Sequence, residues 1–322
     1  MLAKTFRHLT VKRALNSTDR KQLFFSVTLE ANIPTLQLSI PLINRYYDTP
    51  EFVLICPESS VNAFIDRFQT FSNVLIVSEK SLITLQSFTS IAADTAKQLG
   101  IKDLRTDRLG WYYQQALKLS FLLSLHKTDC NAVMWDADTI PLTALQFFDK
   151  TNNYSLQYGS LSEFNQPYFD SLKNLLPCLP KNFLACTIQF FSCSTLEQEA
   201  LVVHLNQLHP RPVDQPWAVW ISELMIGAVL KTHRAFSGSL FSEQELVGLS
   251  NMLIRPSRQV PLKHLRWGIE GRLSSAQLML ARLMGFAHLT YENPNTVLSQ
   301  AQSWKSLIRL MHKELQHFHR SR

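Results

Sequence analysis

Residues 132–142 read AVMWDADTIPL, an apolar run that stops at two carboxylates, Asp136 and Asp138, set one residue apart. The run Ala132–Trp135 has no charged or amide side chain, as expected of a strand buried on both faces of a parallel sheet. Residues i and i+2 of an extended chain point to the same side, so the two aspartates leave the strand side by side. Neighbouring carboxylates repel unless a cation lies between them. Hard oxygen ligands suit Mg²⁺ or Mn²⁺, with positions left for diphosphate oxygens. Spacing alone decides little: with twelve aspartates in 322 residues, chance supplies about half of one such triplet. The competing role for either residue is a cap on the following turn.

Working outward, Trp111–Leu125 has the period of a helix, with Leu117, Phe121, Leu122 and Leu125 along one face. Gln114 and Lys118 lie one turn apart on another face, either aimed at a ligand or simply solvated. Upstream, Phe24–Leu29, Phe52–Cys56 and Val74–Val77 are further apolar runs, separated by helix-like stretches at 33–46 and 60–71. This alternation predicts βαβ units and an α/β fold with a mostly parallel central sheet flanked by helices. Ligands bind beyond the carboxyl ends of the strands in such sheets, where Asp136 and Asp138 fall. In the second half, 183–193 reads as a strand or hairpin edge, and helices are expected at 196–208, 217–231 and 275–284. Residues 80–109 and much of 251–290 lack clear periodicity. The expected division is a basic segment at 1–21, a nucleotide-binding half at 22–142, a more irregular acceptor-side half of the same domain at 143–295, and a basic amphipathic helix at 296–322.

Composition narrows the function classes. Nine glycines and no G-x-G-x-x-G or G-x-x-x-x-G-K-[ST] exclude the Gly-rich phosphate loops. The net charge of +7 fits a phosphorylated small molecule, an anionic membrane surface or nucleic acid. Basic clusters at both ends favour surface attraction, and no base-stacking motif supports nucleic acid. Trp304, Leu307, Ile308, Met311, Leu315 and Phe318 share one face of the last helix, with Lys305, Arg309 and Lys313 on another. That pattern suits either a helix packed on the body or a peripheral membrane anchor. Five cysteines without a C-x-x-C pair predict reduced, buried thiols. No run of 18 apolar residues and no signal-peptide pattern are found. The expected location is the cytoplasm, free or at the inner face of the membrane.

WDADTIPL together with RLGWYYQQALKLS at 108–120 resembles a bacterial family of GT-A-fold glycosyltransferase-like proteins associated with surface polysaccharide synthesis. The resemblance spans about residues 22–295 and is strongest at 108–142. It implies a GT-A-like fold, a nucleotide-sugar donor, and Mn²⁺ or Mg²⁺ bridging the diphosphate to Asp136 and Asp138. It places Thr28, Glu30 and Glu79 near the nucleoside. Gly110, Trp111, Gln114, Lys118, Trp135 and Ala137 would line the donor, Gly110 by allowing close backbone approach. Ser222 and Glu223 of WISEL resemble the family's S-E pair at a helix start, making Glu223 the candidate base that deprotonates an acceptor hydroxyl. The competing role of Glu223 is a carboxylate at a helix N-terminus. His288 would be the third metal ligand, with His264 the alternative, though a lone His is more often structural. Thr187 and Gln189 would face the acceptor. The implied reaction is sugar transfer to a glycan or lipid-linked acceptor. The other readings are a nucleotidyltransferase and a non-catalytic nucleotide-sugar-binding protein with a degenerate fold.

Overall fold

The structure, a computed structural model, describes residues 21–160, 163–176, 178–181, 183–255, 259–267, 272–291 and 300–320. In chain order the first half comprises β1 (Lys21–Val27), α1 (Ile33–Tyr46), β2 (Glu51–Cys56), α2 (Val61–Phe68), β3 (Val74–Ser78), α3 (Leu85–Gln98), α4 (Leu109–Ser124) and β4 (Cys130–Trp135). It continues with β5 (Thr139–Pro141), β6 (Tyr158–Gly159), α5 (Gln166–Leu172), β7 (Phe190–Cys193), α6 (Thr195–Leu208), α7 (Trp217–His233) and α8 (Glu243–Ile254). The remaining elements are β8 (Val260–Pro261), β9 (His264–Trp267), α9 (Ser275–Leu283), β10 (His288–Tyr291) and α10 (Gln300–Arg320). The basic segment expected over 1–21 lies outside the described residues apart from residue 21.

The main sheet runs β3-β2-β1-β4-β7. Its first four strands are parallel, and β7 joins antiparallel to β4. Both faces are covered, as the unbroken apolar runs require. Leu23 and Phe25 of β1 belong to a core shared with α3, α4, α6, α7 and α8. Phe24, between them, belongs to the core under α1 and α2. From β1 the chain steps outward to β2 and β3 on one side and returns to β4 on the other. The boundary between β1 and β4 is therefore the switch point where an open sheet leaves a crevice. Ser26 Oγ donates across that boundary to the Trp135 carbonyl.

A second sheet, β5-β10-β9, grips the chain just past the aspartates. Thr139 pairs with Thr290 and Pro141 with His288, and the Tyr291 N–H donates to the Asp138 carbonyl at 2.9 Å.

Three regions go beyond the sequence reading or bear on alternatives it left open. Helix α4 is buried on nearly every side, from Leu109 and Tyr112 through Leu123, because α7 and α8 cover the face away from the sheet. Lys118 accordingly does not sit on a solvated face. Residues 80–109 contain the full helix α3, capped by Thr84, and residues 243–254 form α8, capped by Ser242. In α10, Leu307 and Met311 are buried beside Trp304 against β9 and α9, while Lys305, Arg309 and Lys313 are exposed. The part of the apolar face carrying Leu307 and Met311 is thus seated on the body, whereas Ile308 is exposed; the side chains of Leu315 and Phe318 lie outside those described. Among the described residues no helix is long and apolar enough to cross a membrane. The cysteines are free, Cys178 exposed and the other four buried.

Candidate active site

The site begins at the end of β4, where Trp135 is 1% exposed and its Nε1 donates to the Thr139 carbonyl at 3.0 Å. That bond closes the turn holding the two aspartates, reinforced by Thr139 N–H donating to the Asp136 carbonyl at 3.0 Å. Beyond the turn lies a cleft of about 450 Å³, within the range of ligand sites. Asp136 and Asp138 line it, with Trp111, Gln114, Gln115 and Lys118 from α4 and Glu243 and Gln244 from the start of α8.

Asp136 is fully engaged. Lys118 Nζ donates to its Oδ1 at 2.5 Å and Gln244 Nε2 to its Oδ2 at 3.1 Å. The same ammonium donates to Glu243 Oε1 at 2.7 Å. Burial alone would push Lys118 down, but Asp136 and Glu243 outweigh it and hold the ammonium above its ordinary range. Asp138 is held differently: Thr139 Oγ1 donates to Oδ1 at 3.2 Å and also contacts Thr290 Oγ1 at 2.9 Å. Burial first, and the neighbouring Asp136 second, push Asp138 up to about 7.

Helix α8 locks this arrangement from the far side. Ser242 Oγ accepts the Glu245 N–H at 3.2 Å. Glu245 Oε1 accepts from the Thr187 N–H at 3.1 Å and its hydroxyl at 2.9 Å. Gln244 Oε1 accepts from the Ile188 and Gln189 N–H groups at 3.0 and 3.3 Å. These bonds hold Gln189 at φ 63, a left-handed conformation that costs a non-glycine residue of order 1 kcal/mol or more. Its carbonyl accepts the Asp136 N–H at 3.0 Å. Near the mouth, Glu163 meets Arg266 Nη1 at 2.8 Å and His264 Nε2 at 3.3 Å. Burial opposes its ionisation, but His264 and Arg266 outweigh that and keep its carboxyl below the usual range.

The cleft brings together Asp136, Asp138, Trp111, Gln114, Lys118, Thr187 and Gln189. It does not include the others. Trp135 and Ala137 are buried beneath the turn, in the core with Phe147 and Phe190. Thr28, Glu30 and Glu79 sit at the carboxyl ends of β1 and β3, beyond this cleft. Burial first, then Glu79, Glu58 and Glu30, push the Cys56 thiol there up to about 12, so the three carboxylates share one edge. Gly110 is exposed, and a Cβ there would meet no protein atom within 4 Å.

Two expectations are corrected. Glu223 lies in the second turn of α7, exposed, bonded to Gln215 Nε2 at 2.9 Å. The start of α7 packs by Trp217 on His126, past the C-terminal end of α4, and Glu223 does not line the cleft. Ser222 is interior to the helix and donates to the Ala218 carbonyl at 2.6 Å. His288 is fully buried against Trp135, Phe190 and His264. Burial, then His264, push it well below the ordinary histidine value. The cleft residue from β10 is Thr290, two positions on. Sequence reading missed Glu243 and Gln244, although S-x-x-E at 242–245 is a helix-start signature. Glu163, Arg266 and Gln115 carry no comparable signal.

Among the described residues no group of three His, Cys, Asp or Glu side chains could enclose a metal ion. The donor set still suits a hard divalent cation. When ionised, Asp136, Asp138 and Glu243 carry three negative charges and Lys118 returns one, a surplus of two in a largely buried place. One or two carboxylates completed by substrate phosphates and water is the usual environment of Mg²⁺.

No family model matches the chain, and no curated protein matches it. Solved structures do. Apo mouse xyloside xylosyltransferase 1 is 11% identical, with 87% of this chain and 100% of that one covered at a TM-score of 0.44. The galactosyltransferase LgtC, in complex with donor and acceptor sugar analogues, is 8% identical, with 91% and 96% covered at 0.40. Core-mannan synthase A from Aspergillus fumigatus, in a Mn/GDP form, is 11% identical, with 74% and 71% covered at 0.42.

Proposed function

We propose that the chain is a metal-assisted glycosyltransferase that moves a sugar from a nucleotide-sugar donor to a glycan or lipid-linked acceptor in surface polysaccharide synthesis. One observation carries this reading: a carboxylate pair with surplus negative charge at the carboxyl end of β4, beside the sheet's switch point, opening on a polar cleft. Asp136 and Asp138 would hold Mn²⁺ or Mg²⁺, and the ion would take up the charge of the departing diphosphate. Lys118 and Gln244 fix both oxygens of Asp136, so that carboxylate needs no reorganisation during transfer. Thr139, itself in contact with Thr290, holds one oxygen of Asp138 from the other side.

On this reading the nucleoside lies over β1 to β3, within residues 22–142. Thr28, Glu30 and Glu79 then offer acceptors to ribose hydroxyls, the role a carboxylate plays in dinucleotide folds. The acceptor enters over residues 143–295, between the segment 163–168, which leads into α5, and the start of α8. Attraction to an anionic membrane face falls to exposed Lys305, Arg309 and Lys313.

Calorimetric titration of UDP, GDP and CMP with Mn²⁺ tests the proposal. Binding of one nucleotide that requires metal and weakens at least tenfold in Asp136→Asn and Asp138→Asn is expected. Equal binding in both variants removes the carboxylate pair from the site. Release of nucleoside diphosphate from a nucleotide sugar separates sugar transfer from nucleotidyl transfer, which releases pyrophosphate.

A further inference from the structure

Gln115 is 2% exposed, lines the cleft, and neither its Nε2 nor its Oε1 has a hydrogen-bond partner among the described residues. Gln189, 6% exposed on the facing wall, likewise leaves its Oε1 unpartnered. A buried polar atom left unpaired costs about 1–3 kcal/mol. Here that cost falls beside Asp136, whose own carboxylate oxygens are both bonded.

The unpaired atoms define their ligand. A phosphate only accepts, and would leave Gln115 Oε1 unsatisfied. A cation only coordinates, and would leave Nε2 unsatisfied. A pair of neighbouring hydroxyls donates and accepts at once, matching both ends of one primary amide. The surroundings agree. Trp111, Gln115 and Lys118 follow one another at i, i+4 and i+7 along a stripe of α4, a span of about 10 Å. The stripe runs from the aspartates out to the mouth. There Phe164 is 59% exposed, its ring stacked on Phe169 at 4.6 Å, and Tyr168 lies beside it. Arg108 covers Trp111 at 4.5 Å. An aromatic face at the mouth with unpaired amides within is suited to a ring that is apolar on its C–H face and hydroxylated at its rim.

We infer that this stretch of the cleft is a pyranose-binding subsite, in which Gln115 clasps a vicinal diol, Gln189 takes a further hydroxyl and Phe164 carries the C–H face of the sugar. The inference rests on the glycosyltransferase reading for its biological meaning, but its test does not.

Saturation-transfer NMR of the full chain with methyl hexopyranosides, and with dimethyl phosphate, which has no hydroxyl, as control, provides that test. At least one pyranoside should receive saturation on its ring protons, and dimethyl phosphate none. Phe164→Ala, at an exposed position, and Gln115→Leu should each lower that pyranoside's affinity tenfold or more. Gln115→Leu should also raise Tm, because an unpaired amide is exchanged for an apolar side chain of similar size. A lower Tm would show that Gln115 is structurally paired, and would overturn the inference together with its cause. So would the absence of any pyranoside signal, or one unchanged in both variants; the latter would mean that water alone satisfies Gln115. UDP, GDP and CMP titrated with Mn²⁺ on the same samples separate the two claims. Nucleotide binding without pyranoside binding sinks the subsite and spares the proposed function, and the reverse spares the subsite alone. Pyranoside displaced by an intact nucleotide sugar but not by its bare nucleotide assigns the subsite to the transferred sugar; simultaneous binding assigns it to the acceptor.

Discussion

The inner and outer ends of the cleft solve opposite problems. At the inner end Asp136, Lys118, Glu243 and Gln244 satisfy one another, so this end is rigid before anything binds. Farther out the Gln115 amide lacks a partner and the Phe164 ring, stacked on Phe169, is largely exposed, so on the inference above this end is completed by a ligand. Charge needs prior organisation because an unpaired buried charge is far more costly than an unpaired amide. A recognition surface tolerates the smaller cost.

The sharpest way to break this contrast is Lys118→Met, which strands Asp136 and Glu243. Loss of one partner of a buried pair costs about 3–5 kcal/mol, and chemical denaturation should report a loss of that order. Adding Glu243→Gln should recover part of it; a single variant as stable as wild type would show that the inner end is not held by charge. The next test is the pH dependence of Asp138 in metal-free protein. Its carboxyl is pushed up to about 7 in the fold, against about 3.9 in an unfolded chain. The protonated acid's contribution is therefore complete below the unfolded value and is lost as pH rises through the folded one. Asp138→Asn should match wild type near the lower bound of that window and exceed it by roughly 2–4 kcal/mol above pH 8. Mn²⁺ should erase the difference by stabilising wild type alone, and a constant difference across the range would remove the buried carboxylate as its source. Smaller still, Phe164→Ala should change stability by no more than about 0.5 kcal/mol. The smallest effect belongs to Glu223→Gln, exposed and remote, which should leave both turnover and Tm unchanged. Loss of turnover there would return Glu223 to the chemistry.

How much of this was legible in the sequence follows the same division. The parallel strands announced themselves because each is apolar on both faces, and the aspartates because the last such run ends on them. The burial of Lys118 was not legible. It depends on α7 and α8, which arrive about a hundred residues later in the chain, and local periodicity carries no record of them. Glu223 drew attention through a Ser-Glu dipeptide that proved interior to a helix, whereas Ser242 caps one and delivers Glu243 to Lys118. The spacing S-x-x-E distinguishes the second from the first. His288 and Thr290 share one side of β10, and only the pairing of β10 with β5 decides which of them meets Thr139 and lines the cleft.

That pairing has a consequence for the order in which the molecule is made. Thr139, next to Asp138, finds its strand partner only at Thr290. The first four strands can collapse early, yet the turn bearing the aspartates stays open on one side until a segment 151 positions further on has been synthesised (290 − 139 = 151). Closing so long a loop is slow relative to local structure. A ribosome-bound chain would therefore display a finished main sheet and an unfinished carboxylate turn, whose strand partner is complete only when synthesis has passed Tyr291.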